Sequence, residues 1–246
     1  MGESPLVEVR REGQTALVTL RRESKLNALS RALEAELAEA LGAPEVTSSR
    51  SVVLTGSGRA FSAGADLSEL SRDDPAAILA YYREAGAVYE ALARLPQPTL
   101  AAIGGYCLGG GLELALAADF RIAEVSAVFG LPEVALGIVP SAGGLHRLVR
   151  LVGPGRAKEL ILLREQFSAD EALSFGIVTE VVPDGDAPRR ALELGERLAG
   201  LPPAAVAVAK EAAELMPEAT REAGLLVERL AYAALAQTAE AARPEG

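Results

Sequence analysis

Two glycine-punctuated segments constrain this chain more than anything else in it: RAFSAGADL at residues 59–67 and GGYCLGGGLELALAADF at residues 104–120. Each follows a β-branched or apolar stretch, SVVLTG and PTLAAIGG, and leads through Gly-rich backbone into a helical pattern. A strand that turns through glycine into a helix start leaves backbone N–H groups pointing at a ligand. Two such turns predict a pair of amide donors that together hold one oxyanion.

Gly110 opens the run GGLELALAA, so its N–H is an orphan donor at a helix start. Ala63, just before Gly64, offers the second donor from the 59–67 loop. Glu113 follows Gly110 by three residues and shares its helix face, among Leu112, Leu114, Ala115 and Leu116. A carboxylate in such surroundings is costly unless paired or used, and burial moves its pKa toward the range of a general acid or base. Glu133 lies twenty positions further on, in the turn-like segment FGLPEVALGIVPSAGG at 129–144. Two convergent carboxyl groups let one activate water while the other moves a proton at carbon.

These three segments together resemble the crotonase superfamily, specifically its enoyl-CoA hydratase and isomerase branch, across roughly residues 5 to 240. The resemblance implies an α/β fold: a spiral of repeated β-β-α units with a helical C-terminal subdomain. It implies that the amides of Ala63 and Gly110 form an oxyanion hole for a thioester carbonyl. By the same resemblance Glu113 activates the water and Glu133 protonates the α-carbon, giving reversible syn hydration of a trans-2-enoyl-CoA. Coenzyme A is then part of the substrate, and no separate cofactor is implied. Asn27 in KLNAL matches the family's early segment near the CoA entrance, which makes Lys25 and the backbone around Leu26 contacts for the nucleotide portion. Ala65, Asp66, Leu67 and Ser141 complete the substrate-binding set.

Two departures keep alternatives open. Relatives often carry a basic residue soon after the AGAD motif, whereas this chain has Ser68 and reaches a positive charge only at Arg72. Ser141 follows Pro140 where hydratases generally have glycine and some isomerases and a carnitinyl-CoA dehydratase have aspartate. A double-bond isomerase, or a dehydratase of the carnitinyl-CoA type, is therefore the competing reading. An RNA-binding relative relies on a lysine-rich early helix, but the corresponding ALSRALEAELAEALG here is net acidic.

Charge argues in the same direction. A net charge of −10 with three lysines, Lys25, Lys158 and Lys210, does not suit a nucleic-acid backbone binder. No apolar run reaches the ~18 residues of a membrane span. The charged N-terminus MGESPLVEVRREGQ lacks the apolar core of a secretory signal, and a lone cysteine, Cys107, excludes an internal disulfide. A cytoplasmic location is expected. His146 and Cys107 read as packing or surface residues, and no metal-ligand cluster stands out.

Strand-like runs at Leu6–Val9, Ala16–Leu20, Ser51–Thr55, Thr99–Ile103, Phe120–Ala123 and Val178–Val182 alternate with helical patterns starting near Ser30, Pro75, Gly109, Gly143, Pro154 and Ser168. SADE at 168–171 has capping-box spacing. Past Asp184 the composition shifts to Ala, Leu and Glu, which predicts a division into a core at 1–190 and a helical unit at 191–246. Leu226, Leu230 and Ala234 recur at helical spacing within Arg221–Ala242. Family resemblance makes this stripe a subunit interface in homotrimers or homohexamers.

Overall fold

The computed structural model describes residues 4–69 and 74–238; Arg72 and the end of the Arg221–Ala242 stretch lie outside them. The six runs expected as strands form one sheet: β1 (Val7–Glu12), β2 (Thr15–Leu20), β3 (Ser51–Gly56), β5 (Thr99–Ile103), β7 (Phe120–Glu124) and β10 (Glu180–Val182), in the order β1-β2-β3-β5-β7-β10. Only β1 runs antiparallel to its neighbour. A second, smaller sheet, absent from the sequence reading, is built from β4 (Ala60–Ser62), β6 (Tyr106–Leu108), β8 (Val128–Gly130) and β9 (Phe167–Ser168), in that order. Here β4, β6 and β8 are parallel and β9 returns antiparallel.

The connection between the sheets is the repeat that the sequence resemblance implied. After the first hairpin come the helices α1 (Arg31–Gly42) and α2 (Pro44–Thr47). Three units then follow, each placing one strand in the large sheet, the next in the small sheet, and then a helix: β3-β4-α3 (Pro75–Ala93), β5-β6-α4 (Gly110–Leu116) and β7-β8-α5 (Gly144–Leu162). Because β4, β6 and β8 are parallel, their C-terminal ends gather at one edge. The turns that leave them are therefore neighbours in space though more than twenty residues apart in sequence.

Burial explains why the large strands read as continuous apolar runs. Val52, Leu54, Ala101 and Ile103 face one hydrophobic cluster, while Leu17, Val53, Leu100 and Ile122 face another. A parallel strand covered on both faces needs apolar residues at every position. The second face is covered by α7 (Ala187–Ala199) through Ala187, Ala191 and Leu194. The division expected after residue 190 thus falls inside a helix that packs on the sheet.

Local signals set the helix boundaries. The Ser30 hydroxyl accepts from the Leu33 amide at 3.3 Å to start α1. Ser168 and Glu171 form the expected capping box at the start of α6 (Ala169–Ser174). Gly153 and Pro154 break α5 into the two segments anticipated from the sequence. The last helices, α8 (Pro203–Leu215) and α9 (Arg221–Leu235), bury almost nothing, Gly224 being their one buried residue. Lys210 anchors α8 to the body by donating to the Leu95 and Gln97 carbonyls at 2.9 and 2.7 Å and pairing with Asp119 at 2.6 Å. Among the described residues no helix is long and apolar enough to cross a membrane.

Candidate active site

The edge where β4, β6 and β8 end opens into a cavity of about 110 Å³. Each repeat contributes its own turn to the wall: Ala63–Gly64–Ala65 after β4, Gly109–Gly110 after β6, and Pro132–Glu133 after β8. Glu113, one turn into α4, joins them, with Ser141 and Ala142 from the segment before α5.

The two amides at the mouth of this arrangement are those of Ala65 and Gly110. A methyl group added to Gly110 would lie 3.5 Å from the Ala65 nitrogen, so the two turns are in direct contact. Neither N–H has a partner in the hydrogen bonds among the described residues. Gly64, at φ +96°, allows the close approach; a side chain there would meet the Leu108 carbonyl oxygen at 2.8 Å.

This corrects the donor expected from sequence. The Ala63 N–H points the other way and donates to the Leu26 carbonyl at 3.0 Å. Leu26 is held for this by Asn27, both at positive φ, with the Asn27 amide donating to the Ser57 and Ala60 carbonyls at 2.9 and 2.7 Å. A donor already paired in the fold offers nothing to an oxyanion, so of the two alanines it is Ala65, and not Ala63, whose amide is left open beside Gly110.

Glu113 is buried, and its Oε1 accepts from the Ala142 and Gly144 amides at 2.9 and 3.0 Å. Burial raises its pKa, while the two amides and Arg147 oppose the rise by favouring the ionised form. Glu133, on the short helical turn Pro132–Leu136, is also buried, and its Oε2 has no partner among the described residues. Burial, with a further push from the charge of Glu113, carries its pKa up to about 7. The cavity thus holds two carboxyl groups whose pKa burial raises: Glu113, with amide donors opposing the rise, and Glu133, carried up to about 7.

The other expected contacts divide. Ala65, Leu67 and Ser141 line the cavity, whereas Lys25, Leu26 and Asp66 do not. Lys25 is exposed on the turn Glu23–Lys25. The Asp66 carboxylate is occupied by the Ser68 amide and hydroxyl, at 3.0 and 2.6 Å, and by Arg22 at 2.6 Å. The Ser68 hydroxyl first, then Arg22, holds its pKa down to about 2. It braces the loop, while its neighbours Ala65 and Leu67 line the cavity. Cys107 is buried and its thiol pKa is pushed up by burial, and His146 lies on the surface 3.8 Å from Glu218.

Four lining residues escaped the sequence reading in whole or part. Tyr81, Tyr82 and Tyr89 of α3, expected near an acyl tunnel without an assigned face, all reach the cavity. Glu34 of α1 was not singled out at all, yet it is buried in the same wall with a pKa raised to about 7 by burial. The 3.6-residue period carried the signal, since residue 34 falls on the same side as the buried Leu37 and Leu41.

Comparison with known proteins agrees with this geometry. The family model described as enoyl-CoA hydratase/isomerase matches residues 10–245. The 2,3-dehydroadipyl-CoA hydratase of Escherichia coli (strain K12) is 40% identical over 239 residues, spanning 97% of this chain and 92% of that protein. The short-chain-enoyl-CoA hydratase of Clostridium acetobutylicum is 40% identical over 208 residues, covering 84% and 80% of the two chains. Among solved structures, an enoyl-CoA hydratase from Bacillus anthracis superposes with a TM-score of 0.89 at 40% identity, covering 95% of this chain and 92% of that one. DspI from Pseudomonas aeruginosa gives a TM-score of 0.90 at 35% identity, covering 97% and 92%.

A spiral of β-β-α units with its site at the ends of the small-sheet strands defines an enzyme of the crotonase type. The chain belongs to the enoyl-CoA hydratase/isomerase family of the crotonase superfamily. It carries out hydratase/isomerase-type chemistry on an acyl-CoA substrate.

Proposed function

We propose that this enzyme adds water reversibly and with syn geometry to a trans-2-enoyl-CoA, producing a 3-hydroxyacyl-CoA. The observation that carries the reading is the presence of two buried carboxyl groups, Glu113 and Glu133, in one cavity with two unpartnered amides. Double-bond migration needs one proton shuttle, whereas water addition is served by two.

The thioester oxygen is received by the Ala65 and Gly110 N–H groups, which stabilise negative charge as the α-carbon becomes enolate-like. Glu113, favoured as an anion by the Ala142 and Gly144 amides, orients and polarises the water. The water oxygen forms a bond to C3 as the C2–C3 π pair moves toward the carbonyl. Glu133, with a pKa of about 7, supplies the proton that C2 takes up. One hydroxyl and one proton are added, and the proton released by the water restores the carboxyl pair.

Hydration of crotonyl-CoA in deuterium oxide tests this directly. Proton NMR of the product is expected to show one deuterium at C2 on the face that bears the new hydroxyl at C3. An anti product, or migration of the double bond without water uptake, would overturn the reading.

A further inference from the structure

A third carboxyl group faces the cavity and has no part in the proposed hydration. Glu34 has 5% of its surface exposed and lines the wall beside Tyr81, Tyr82 and Tyr89. Its carboxyl's one hydrogen bond among the described residues comes from the Tyr89 hydroxyl, at 3.3 Å. Its helix neighbours Leu33 and Leu37 are wholly buried in the apolar core, a setting that an aliphatic side chain would fill without the cost of desolvating a carboxyl. The fold alone gives no reason for an acid at this position.

The location gives one. The Tyr89 hydroxyl sits beside the oxyanion amides, since a methyl group on Gly110 would lie 3.3 Å from it. Glu34 accepts a hydrogen bond from that hydroxyl at 3.3 Å. Tyr89 thus stands between the Gly110 turn and Glu34, so an acyl chain whose carbonyl oxygen sits on the amides meets Glu34 a few carbons further on, at C4 or beyond. We propose that Glu34 determines acyl specificity by receiving a hydrogen-bond donor, a hydroxyl or an ammonium group, carried on C4 to C6 of the acyl chain. This rests on the cavity being the acyl-CoA site.

The physical asymmetry is strong. An alkyl terminus leaves the buried carboxyl with no donor beyond the Tyr89 hydroxyl, and a site made to hydrogen-bond a polar group rejects analogues that lack it more sharply than an apolar pocket rejects an added methylene. A terminal carboxylate meets Glu34 as a like charge. A hydroxyl or ammonium donor completes its bonding, and the Tyr89 hydroxyl already holds the carboxyl in place.

Calorimetric titration with saturated thioesters separates this inference from the reaction itself. The ligands are butyryl-, valeryl- and hexanoyl-CoA, their ω-hydroxy counterparts, 6-aminohexanoyl-CoA and adipyl-CoA. At least one donor-bearing thioester is expected to bind about 10-fold more tightly than its plain counterpart. Glu34→Met should reverse that order. Preference for the ω-hydroxy ligands identifies a hydroxyl as the natural group, and preference for 6-aminohexanoyl-CoA identifies an ammonium. Plain or dicarboxylic thioesters binding as well as every donor-bearing one would overturn the role of Glu34 while leaving the acyl-CoA site standing. So would a preference that survives Glu34→Met. If that variant fails to fold, the wild-type ranking alone decides. Should no thioester bind, the reading of the cavity itself falls, and this inference with it.

Discussion

The Gly144 amide donates to Glu113 Oε1 at 3.0 Å, and a Cβ at residue 144 would come within 2.2 Å of Glu113 Cγ. The glycine therefore does two things for one carboxylate: it supplies a donor and it leaves the space in which the side chain lies. Gly144→Ala should expel Glu113 from its seat. We expect a fall in turnover of about 10²-fold, comparable to losing a general base, with an overpacking cost of about 1–3 kcal/mol. Steady-state kinetics with thermal melts will show whether activity drops much further than stability. Near-normal turnover would mean that Glu113 is not held by this contact.

The reassignment of the oxyanion donor can be tested atom by atom. Replacing residue 65 with lactic acid by nonsense suppression exchanges its N–H for an oxygen and keeps the methyl group. Turnover is expected to drop roughly 10²- to 10³-fold, the usual consequence of deleting one such donor. The same exchange at residue 63 breaks the bond to Leu26 instead, costing about 1 kcal/mol of stability with far less effect on turnover. The opposite pattern would restore Ala63 to the site.

Glu113→Gln and Glu133→Gln keep shape and remove proton transfer. Each should lower crotonyl-CoA hydration by about 10²-fold or more. Isomerisation of a 3-enoyl-CoA, which needs a single shuttle, should persist in Glu113→Gln through Glu133. The assays follow loss of enoyl absorbance and its appearance, respectively. Hydration at the wild-type rate in Glu113→Gln would overturn the two-carboxylate mechanism.

Glu34 and Glu133 both carry pKa values raised to about 7 from the usual 4.5, mainly by burial. Between those values the folded chain binds protons that the unfolded chain has released, so stability declines as pH rises through this window. Each group then imposes a penalty on the order of 3 kcal/mol above pH 7, set by the distance between its unfolded and folded values. Around Glu34 the Tyr89 hydroxyl and Arg31 favour the anion, while Glu69 and Glu84 oppose it. Glu34→Met should therefore raise the melting temperature by roughly 5 °C or more at pH 8 and much less at pH 5. Equal gains at the two pH values would show that Glu34 titrates normally.

Self-association into trimers or hexamers is expected through the outer helices. On α9, Leu226, Leu230 and Tyr232 are 55, 62 and 78% exposed, and Leu163 at the end of α5 is 81% exposed. Apolar area of this kind marks an interaction surface. Light scattering at micromolar concentration should give three or six times the chain mass of 25.5 kDa. A monomer would leave those residues without a role.

The sequence made the large sheet readable because its strands are five or six residues long, apart from the three-residue β10, and its central strands β2, β3 and β5 are mostly apolar throughout. The small sheet was hidden by its size: strands of two or three residues carry no alternation to detect. The AGAD motif located the right loop but contains two alanines, and only the tertiary bond from Ala63 to Leu26 decides which amide remains available. Glu113 and Glu133 were legible through their apolar neighbours. Glu34 was masked by acidic company, for ALSRALEAELAEALG looks like a solvated face until α3 is packed against it.

The order of β4, β6 and β8 across the small sheet is also their order along the chain. During synthesis the amide of residue 65 leaves the ribosome first, then the amide and carboxyl of the second repeat, then Glu133, and last the Gly144 amide that seats Glu113. A chain that stops before residue 144 lacks an amide that seats the Glu113 carboxylate. The seating of Glu113 therefore waits on the third repeat, the last of the three along the chain.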